Sequence, residues 1–223
     1  MKKLLFSLIA ALGCLTSNAQ PSVQESPKFR VVCVGDSITQ GSGAARGKSY
    51  PSQLQELLGK DWYVNNCGIS GRTLLKKGDH PYWKENAYKS ALSVKPHVVI
   101  IMLGTNDTKP QNWKFEQEFY ADYAELVKSF QDLPCKPIVF VCRPCPVPGK
   151  GNFGINDANL QVVIQHVDKL AKEKNLPIID MHAALKDHPE FLPDRVHPNT
   201  EGAALMAKAA AEALKPLAKT LKP

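Results

Sequence analysis

Five short apolar runs, each followed by a stretch of different periodicity, constrain the fold more than any other feature of this chain. Residues 29–34, rich in β-branched side chains and closed by Gly35, have the length and character of a buried strand, as do 62–66, 97–103, 137–142 and 177–180. Between them 49–58, 84–94, 115–130 and 155–174 carry helical patterning, and a last helix follows Asn199. That helix has Asn199 as its N-cap, with Ala203, Ala207, Ala210, Leu214 and Leu217 on one face and Lys208, Glu212 and Lys215 on the other. Alternation of this kind predicts an α/β fold: a three-layer α/β/α sandwich around a five-stranded, mainly parallel sheet, with right-handed crossovers.

The 223 residues show no break in composition that would mark a second domain, so residues 20–223 are expected to form one globular unit. Residues 1–19 read differently. Met1-Lys2-Lys3 is a basic start, 4–15 is apolar but too short to span a membrane, and Ser17-Asn18-Ala19 offers small residues for cleavage before Gln20. This is the pattern of a signal peptide, which implies a secreted or periplasmic protein without stable membrane insertion. Lipid attachment at Cys14 is the competing reading, but Ala11 stands where an aliphatic residue usually precedes a lipidated cysteine.

The formal charge of +7, two units of it in Lys2 and Lys3, is a mild excess that could draw in an anionic sugar or wall polymer, though scattered lysines more often form a solvated face. No surface interleaved with aromatics and arginines is evident, so nucleic acid is not an expected partner. Six cysteines become five when Cys14 departs, and an odd number leaves at least one thiol unpaired among Cys33, Cys67, Cys135, Cys142 and Cys145. Cys142-Arg143-Pro144-Cys145 has redox spacing, yet the prolines that follow forbid the helix such a motif opens. A loop disulfide and two idle thiols both remain open.

In parallel sheets of this kind ligands bind beyond the carboxyl ends of the strands, and the chemically unusual residues fall there. After the first strand comes Gly35-Asp36-Ser37-Ile38-Thr39, which puts a hydroxyl at the switch from strand to helix beside backbone donors suited to developing negative charge. After the second comes Asn66-Cys67-Gly68-Ile69-Ser70-Gly71-Arg72-Thr73, and after the third Gly104-Thr105-Asn106-Asp107, supplying amide and side-chain donors. Beyond the fifth lies Asp194-Arg195-Val196-His197-Pro198, where one turn can set a carboxylate beside an imidazole. That pairing selects the tautomer able to take a serine proton and stabilises the imidazolium that results.

These four segments, in this order over residues 31–202, resemble the conserved blocks of the SGNH hydrolases, also called GDSL esterases. The first block reads Gly-Asp-Ser-Ile where leucine is commoner, a departure that touches no catalytic role. The resemblance implies the flavodoxin-like fold of that family and a serine esterase mechanism with an acyl-enzyme intermediate. By the same resemblance Ser37 is the nucleophile, His197 its base and Asp194 the third member of the triad. The Ser37 and Gly71 amides and the Asn106 side chain match the oxyanion hole. No metal or organic cofactor is implied.

The same residues admit other readings. None of His80, His97, His166, His182 and His188 combines an aspartate three positions before with a proline after, and His182, near Asp180, is the best alternative base. Ser70 lacks the second glycine of a nucleophile elbow. The glycines of 41–47 have the wrong spacing for a dinucleotide loop and suggest a flexible rim. Asp36 and Asp107 are expected to hold loops by hydrogen bonds rather than to ligate metal. A noncatalytic glycan-binding module on the same fold, and a lysophospholipase or thioesterase, are the rival functions.

Residues 50–58 and 78–83 are similar to stretches of bacterial carbohydrate acetylesterases, including sialate O-acetylesterase-like members, which implies a small-molecule or glycan ester as substrate. Arg72, Trp83 and Trp113 are candidate substrate-binding residues, able with Lys76 and Lys77 to stack a sugar and attract a carboxylate.

Overall fold

The computed structural model describes residues 27–221, so the signal peptide and Cys14 lie outside the described residues. Five strands form one sheet: β1 (Phe29–Gly35), β2 (Trp62–Gly68), β3 (Val98–Met102), β4 (Ile138–Arg143) and β5 (Ile178–Asp180). Their order is β2-β1-β3-β4-β5, and every pairing is parallel, where the sequence pattern predicted a mainly parallel sheet. The helices α1 (Ser37–Gln40), α2 (Tyr50–Leu58), α3 (Asn86–Ser93), α4 (Pro110–Trp113), α5 (Phe119–Gln131), α6 (Asp157–Lys174), α7 (Met181–Leu185) and α8 (Thr200–Leu214) fill the connections.

Strand geometry points alternate side chains to opposite faces, and the apolar runs are read out accordingly. Val31 and Cys33 of β1 join Ile100, Phe140 and the Ala207 and Ala210 face of α8 in one core. Val32 and Val34 join Val99, Ile101, Val141 and the buried faces of α5 and α6 in the other. All five residues of β3 are buried, each such side chain contributing about 1.5–3 kcal/mol relative to exposure. An unbroken apolar run is therefore the right signature for the central strand of a two-sided sheet.

Several helices differ from their predicted bounds for local reasons. The extended backbone of Glu85 separates a 3₁₀ turn at Tyr82–Lys84 from α3. The predicted helix over 115–130 likewise starts as a 3₁₀ turn, Glu116–Glu118, before α5. The Asn156 side chain accepts the Asn159 amide at 3.0 Å, so α6 begins two residues later than its periodicity suggests. Asn199 caps α8 as expected, accepting from the Gly202 amide at 2.9 Å. All five cysteines from Cys33 to Cys145 are free, and burial pushes the Cys33 thiol up to about 12. Cys142 and Cys145 are idle thiols, the latter directed at the Met206 sulfur at 3.6 Å.

The strand order reverses between β1 and β3, so the connections leaving their carboxyl ends diverge to opposite faces and open a crevice. The close fit of α1 into that crevice explains Gly68 at the end of β2: a Cβ there would come within 2.3 Å of the Gln40 backbone nitrogen. Only the absence of a side chain lets α1 sit against β2.

Candidate active site

Ser37 is the first residue of α1, whose N-cap is Asp36; the Asp36 carboxylate accepts the Ile38 amide at 3.0 Å. Capping therefore falls to Asp36, and the Ser37 hydroxyl is left to face the crevice. It lies 2.9 Å from His197 Nε2, a contact between residues 160 positions apart. On the far side of the ring, His197 Nδ1 is 2.7 Å from Asp194 Oδ2.

The turn that builds the acid and base is itself carried by Asp194. Its Oδ1 accepts the Val196 amide at 3.0 Å and the His197 amide at 2.7 Å, while Arg195 adopts a left-handed backbone with φ 66°. One carboxylate thus fixes both the backbone and the ring of His197. Partial burial pushes the Asp194 carboxyl up, but the His197 amide and imidazole and the Val196 amide outweigh it and hold the group below the ordinary carboxylate range. It is ionised at neutral pH, and its Oδ2 can accept from Nδ1–H, leaving Nε2 as the acceptor facing Ser37.

Asn106 opens the short turn after β3, and its Nδ2 donates to Arg72 O at 3.2 Å and to Asp36 Oδ2 at 3.3 Å. The amide is thereby aimed across the crevice between the first and second blocks. Behind it, the buried carboxylate of Asp107 accepts the amides of Leu75 and Leu74 at 2.7 and 3.0 Å, fixing the loop that carries Gly71. Gln40 Oε1 accepts the Ser70 amide at 2.6 Å and ties the same loop to α1. Burial raises both acids, Asp36 to about 6 and Asp107 to about 7.

Ser37, Gly71, Asn106 and His197 line one cleft of about 210 Å³, together with Ser70, Lys109, Phe153 and Ile155. The structure brings together Ser37, Gly71, Asn106, Asp194 and His197 from four distant segments. Such a constellation can move a proton from a hydroxyl to an imidazole and present amide donors to an oxyanion. Among the described residues no three His, Cys, Asp or Glu side chains converge to hold a metal ion, and no helix is long and apolar enough to cross a membrane.

Arg72, Trp83 and Trp113, expected on the substrate side, do not line the cleft. Arg72 is tied by Glu85 at 2.9 Å and by Ser70 O at 2.7 Å, and only its carbonyl reaches the site. Trp83 backs the loop from behind, donating to Leu74 O at 2.7 Å beneath the Lys76 ammonium. Trp113 packs on the core. His182 lines a separate groove of about 300 Å³, among whose described lining residues there is no serine, threonine or cysteine.

Three contributions escaped the sequence reading. Gly43, assigned to a flexible rim, abuts His197, since a Cβ there would stand 2.9 Å from the His197 Cβ. Phe153 and Lys109 enter the cleft from the loop after β4 and from the residue before α4. The rule that ligands gather at strand ends would have pointed to the glycine-rich 149–154 after β4; nothing in the pattern singled out its phenylalanine.

Residues 33–205 match the GDSL-like lipase/acylhydrolase family. An acetylxylan esterase from Xylanibacter ruminicola is 42% identical over 208 residues, covering 84% of this chain and 43% of that protein. The chain thus spans less than half the length of that relative. Among solved structures, a carbohydrate acetylesterase from Sinorhizobium meliloti superposes with a TM-score of 0.71 at 22% identity, over 85% of this chain and 100% of that one. An acetyl xylan esterase superposes with a TM-score of 0.68 at 25% identity, over 83% and 100%. An aryl esterase of M. smegmatis gives 0.69 at 21%, over 85% and 99%.

Proposed function

Because the chain belongs to the GDSL-like lipase/acylhydrolase family, we propose that it is a serine esterase that removes acetyl groups from a carbohydrate, with Ser37, His197 and Asp194 as its triad. The observation that carries this reading is the unbroken series of contacts from the Ser37 hydroxyl through His197 to Asp194, at 2.9 and 2.7 Å.

In the first step His197 Nε2 takes the Ser37 proton as Oγ bonds to the ester carbon, and the carbonyl electron pair moves to oxygen. The Ser37 and Gly71 amides and the Asn106 side chain receive that oxyanion, while Asp194 offsets the imidazolium charge. Collapse returns the pair to the carbonyl and breaks the bond to the sugar oxygen, which takes its proton from His197. Water, deprotonated by the same imidazole, then attacks the acetyl-Ser37 ester; collapse breaks the bond to Oγ, which takes the proton back from His197, and acetate leaves.

A cleft of about 210 Å³ suits a short acyl group, and among the described residues its apolar lining is Phe153 and Ile155. The acetylxylan esterase relative supports a sugar acetate as substrate. The basic start and apolar stretch of residues 1–19 support action on glycans outside the cytoplasm.

The test is acetate release from acetylated oligosaccharides by the purified protein and its Ser37→Ala variant. Release that depends on Ser37 is expected. Failure to release acetate, with Ser37-dependent release of fatty acid from a lysophospholipid, would overturn the carbohydrate reading.

A further inference from the structure

Two side chains of the cleft, Lys109 and Phe153, have no part in proton transfer. Lys109 is half-buried, and among the described residues its ammonium makes neither an ion pair nor a hydrogen bond. The neighbouring cations behave differently: Arg72, Lys76 and Lys77 pair with Glu85, Glu125 and Glu118. Two acids feel the Lys109 charge, Asp36 and Asp79. Both are already engaged, Asp36 by the Ile38 amide and Asn106, and Asp79 by Gln111 and Asn112. An ammonium without a partner at the mouth of a cleft leaves a place for an anion.

Phe153 is 55% exposed, and its backbone is held in the left-handed region at φ 54°. An aromatic residue adopts that conformation only where its surroundings impose it. The tight turn from Asn152 to Ile155 imposes it here: the Ile155 amide donates to the Asn152 carbonyl at 2.8 Å and Gly154 is also at positive φ, 79°, while Asn152 Oδ1 accepts the Phe153 amide at 2.9 Å and its Nδ2 donates to the Asp194 carbonyl at 3.2 Å. The Phe153 ring thus stands 5.7 Å from the His197 imidazole, anchored to the segment that carries the acid and base. A solvent-facing ring fixed at the cleft mouth offers an apolar face of the size a pyranose presents.

We propose that Lys109 and Phe153 select the substrate, an acetylated glycan with a uronic acid at the cleft, Phe153 stacking on the sugar and Lys109 pairing with its carboxylate. The inference rests on the esterase reading and narrows its substrate class.

The test compares an acetylated methyl hexuronoside with the neutral acetylated methyl hexoside, which differ only in carboxylate against hydroxymethyl. The unaltered protein should favour the acid in kcat/KM by about fivefold, through KM, with the preference shrinking as salt rises. Lys109→Gln should abolish the preference and Lys109→Arg retain it. Phe153→Ala should raise KM for both sugars about fivefold and leave their ratio unchanged. An acid-to-neutral ratio that is the same in Lys109→Gln as in the parent would overturn the proposal. Calorimetric binding of both sugars to the Ser37→Ala protein, with and without Lys109→Gln, separates recognition from hydrolysis. A preference for the acid that Lys109→Gln removes supports the pair even if no acetate is released, an outcome that would count against the esterase reading alone. Equal binding of acid and neutral sugar would contradict it.

Discussion

Gly43 packs directly against His197, leaving no room for a side chain: a Cβ on residue 43 would lie 2.9 Å from the His197 Cβ and 2.6 Å from the Pro198 carbonyl oxygen. The backbone there, at φ 90°, is also one that L side chains rarely adopt. His197 is therefore held by Asp194 through hydrogen bonds to its amide and ring, and closely approached by residue 43 at its Cβ and backbone oxygen. Gly43→Ala is expected to displace the ring and reduce kcat by about tenfold or more while the protein stays folded. Steady-state kinetics alongside a circular dichroism melt would check this, and an unchanged kcat would show that the ring tolerates the intrusion.

Asn106 offers a cleaner separation of chemistry from folding. Its side chain lines the cleft, where its amide is proposed as an oxyanion donor, and Asn106→Ala is expected to lower kcat by about 10²–10³ with a much smaller change in KM. Equal losses in binding and turnover would place its role in holding Arg72 and Asp36 rather than in stabilising the transition state.

The central strands were legible in the sequence because strands buried on both faces have no polar side to confuse their reading, and residues 97–103 are the plainest case. The four segments that meet in the cleft were legible because strand ends and the Asp194 to His197 spacing are local facts. Helix starts at Asn86 and Phe119 were missed because a single extended residue, or a 3₁₀ turn, leaves periodicity almost intact. Trp83 and Arg72 were misplaced because proximity in sequence to a site loop does not say which side of the loop a side chain takes. Gly43 and Phe153 meet His197 from segments roughly 150 and 44 residues away, and no local pattern encodes such contacts.

Asp107 should give the protein an inverted pH dependence at one position. Burial pushes its carboxyl up to about 7, with the Leu75 and Leu74 amides opposing the rise and nearby Asp36 adding to it. A folded value above the unfolded one means that the native state holds the proton more tightly. The contribution of this group is fully present below about pH 4 and is lost as pH rises through about 7. Asp107→Asn lacks that titration and disturbs the Leu74 and Leu75 amides, at a cost of about 1–3 kcal/mol. Urea midpoints from pH 4 to 8 should show its deficit relative to the parent largest near pH 4 and shrinking toward pH 8. A deficit that grows with pH would contradict the assignment.

Asp194 has the opposite sign. Its folded value lies below the unfolded one, so the stabilisation is present above about pH 4 and is lost as pH falls through the lowered folded value. Asp194→Asn should keep the fold at pH 7 while lowering kcat by roughly 10²–10⁴, because an amide no longer enforces the His197 tautomer. A kcat within a factor of about three of the parent would remove Asp194 from the relay.

The central claim is that Ser37 is the nucleophile activated by His197, and reaction with an organophosphate ester tests it most directly. Mass spectrometry of the treated protein should find one phosphoryl adduct, mapped to Ser37, formed far more slowly in His197→Ala and absent from Ser37→Ala. An adduct on another residue, or p-nitrophenyl acetate hydrolysis undiminished in Ser37→Ala, would contradict it.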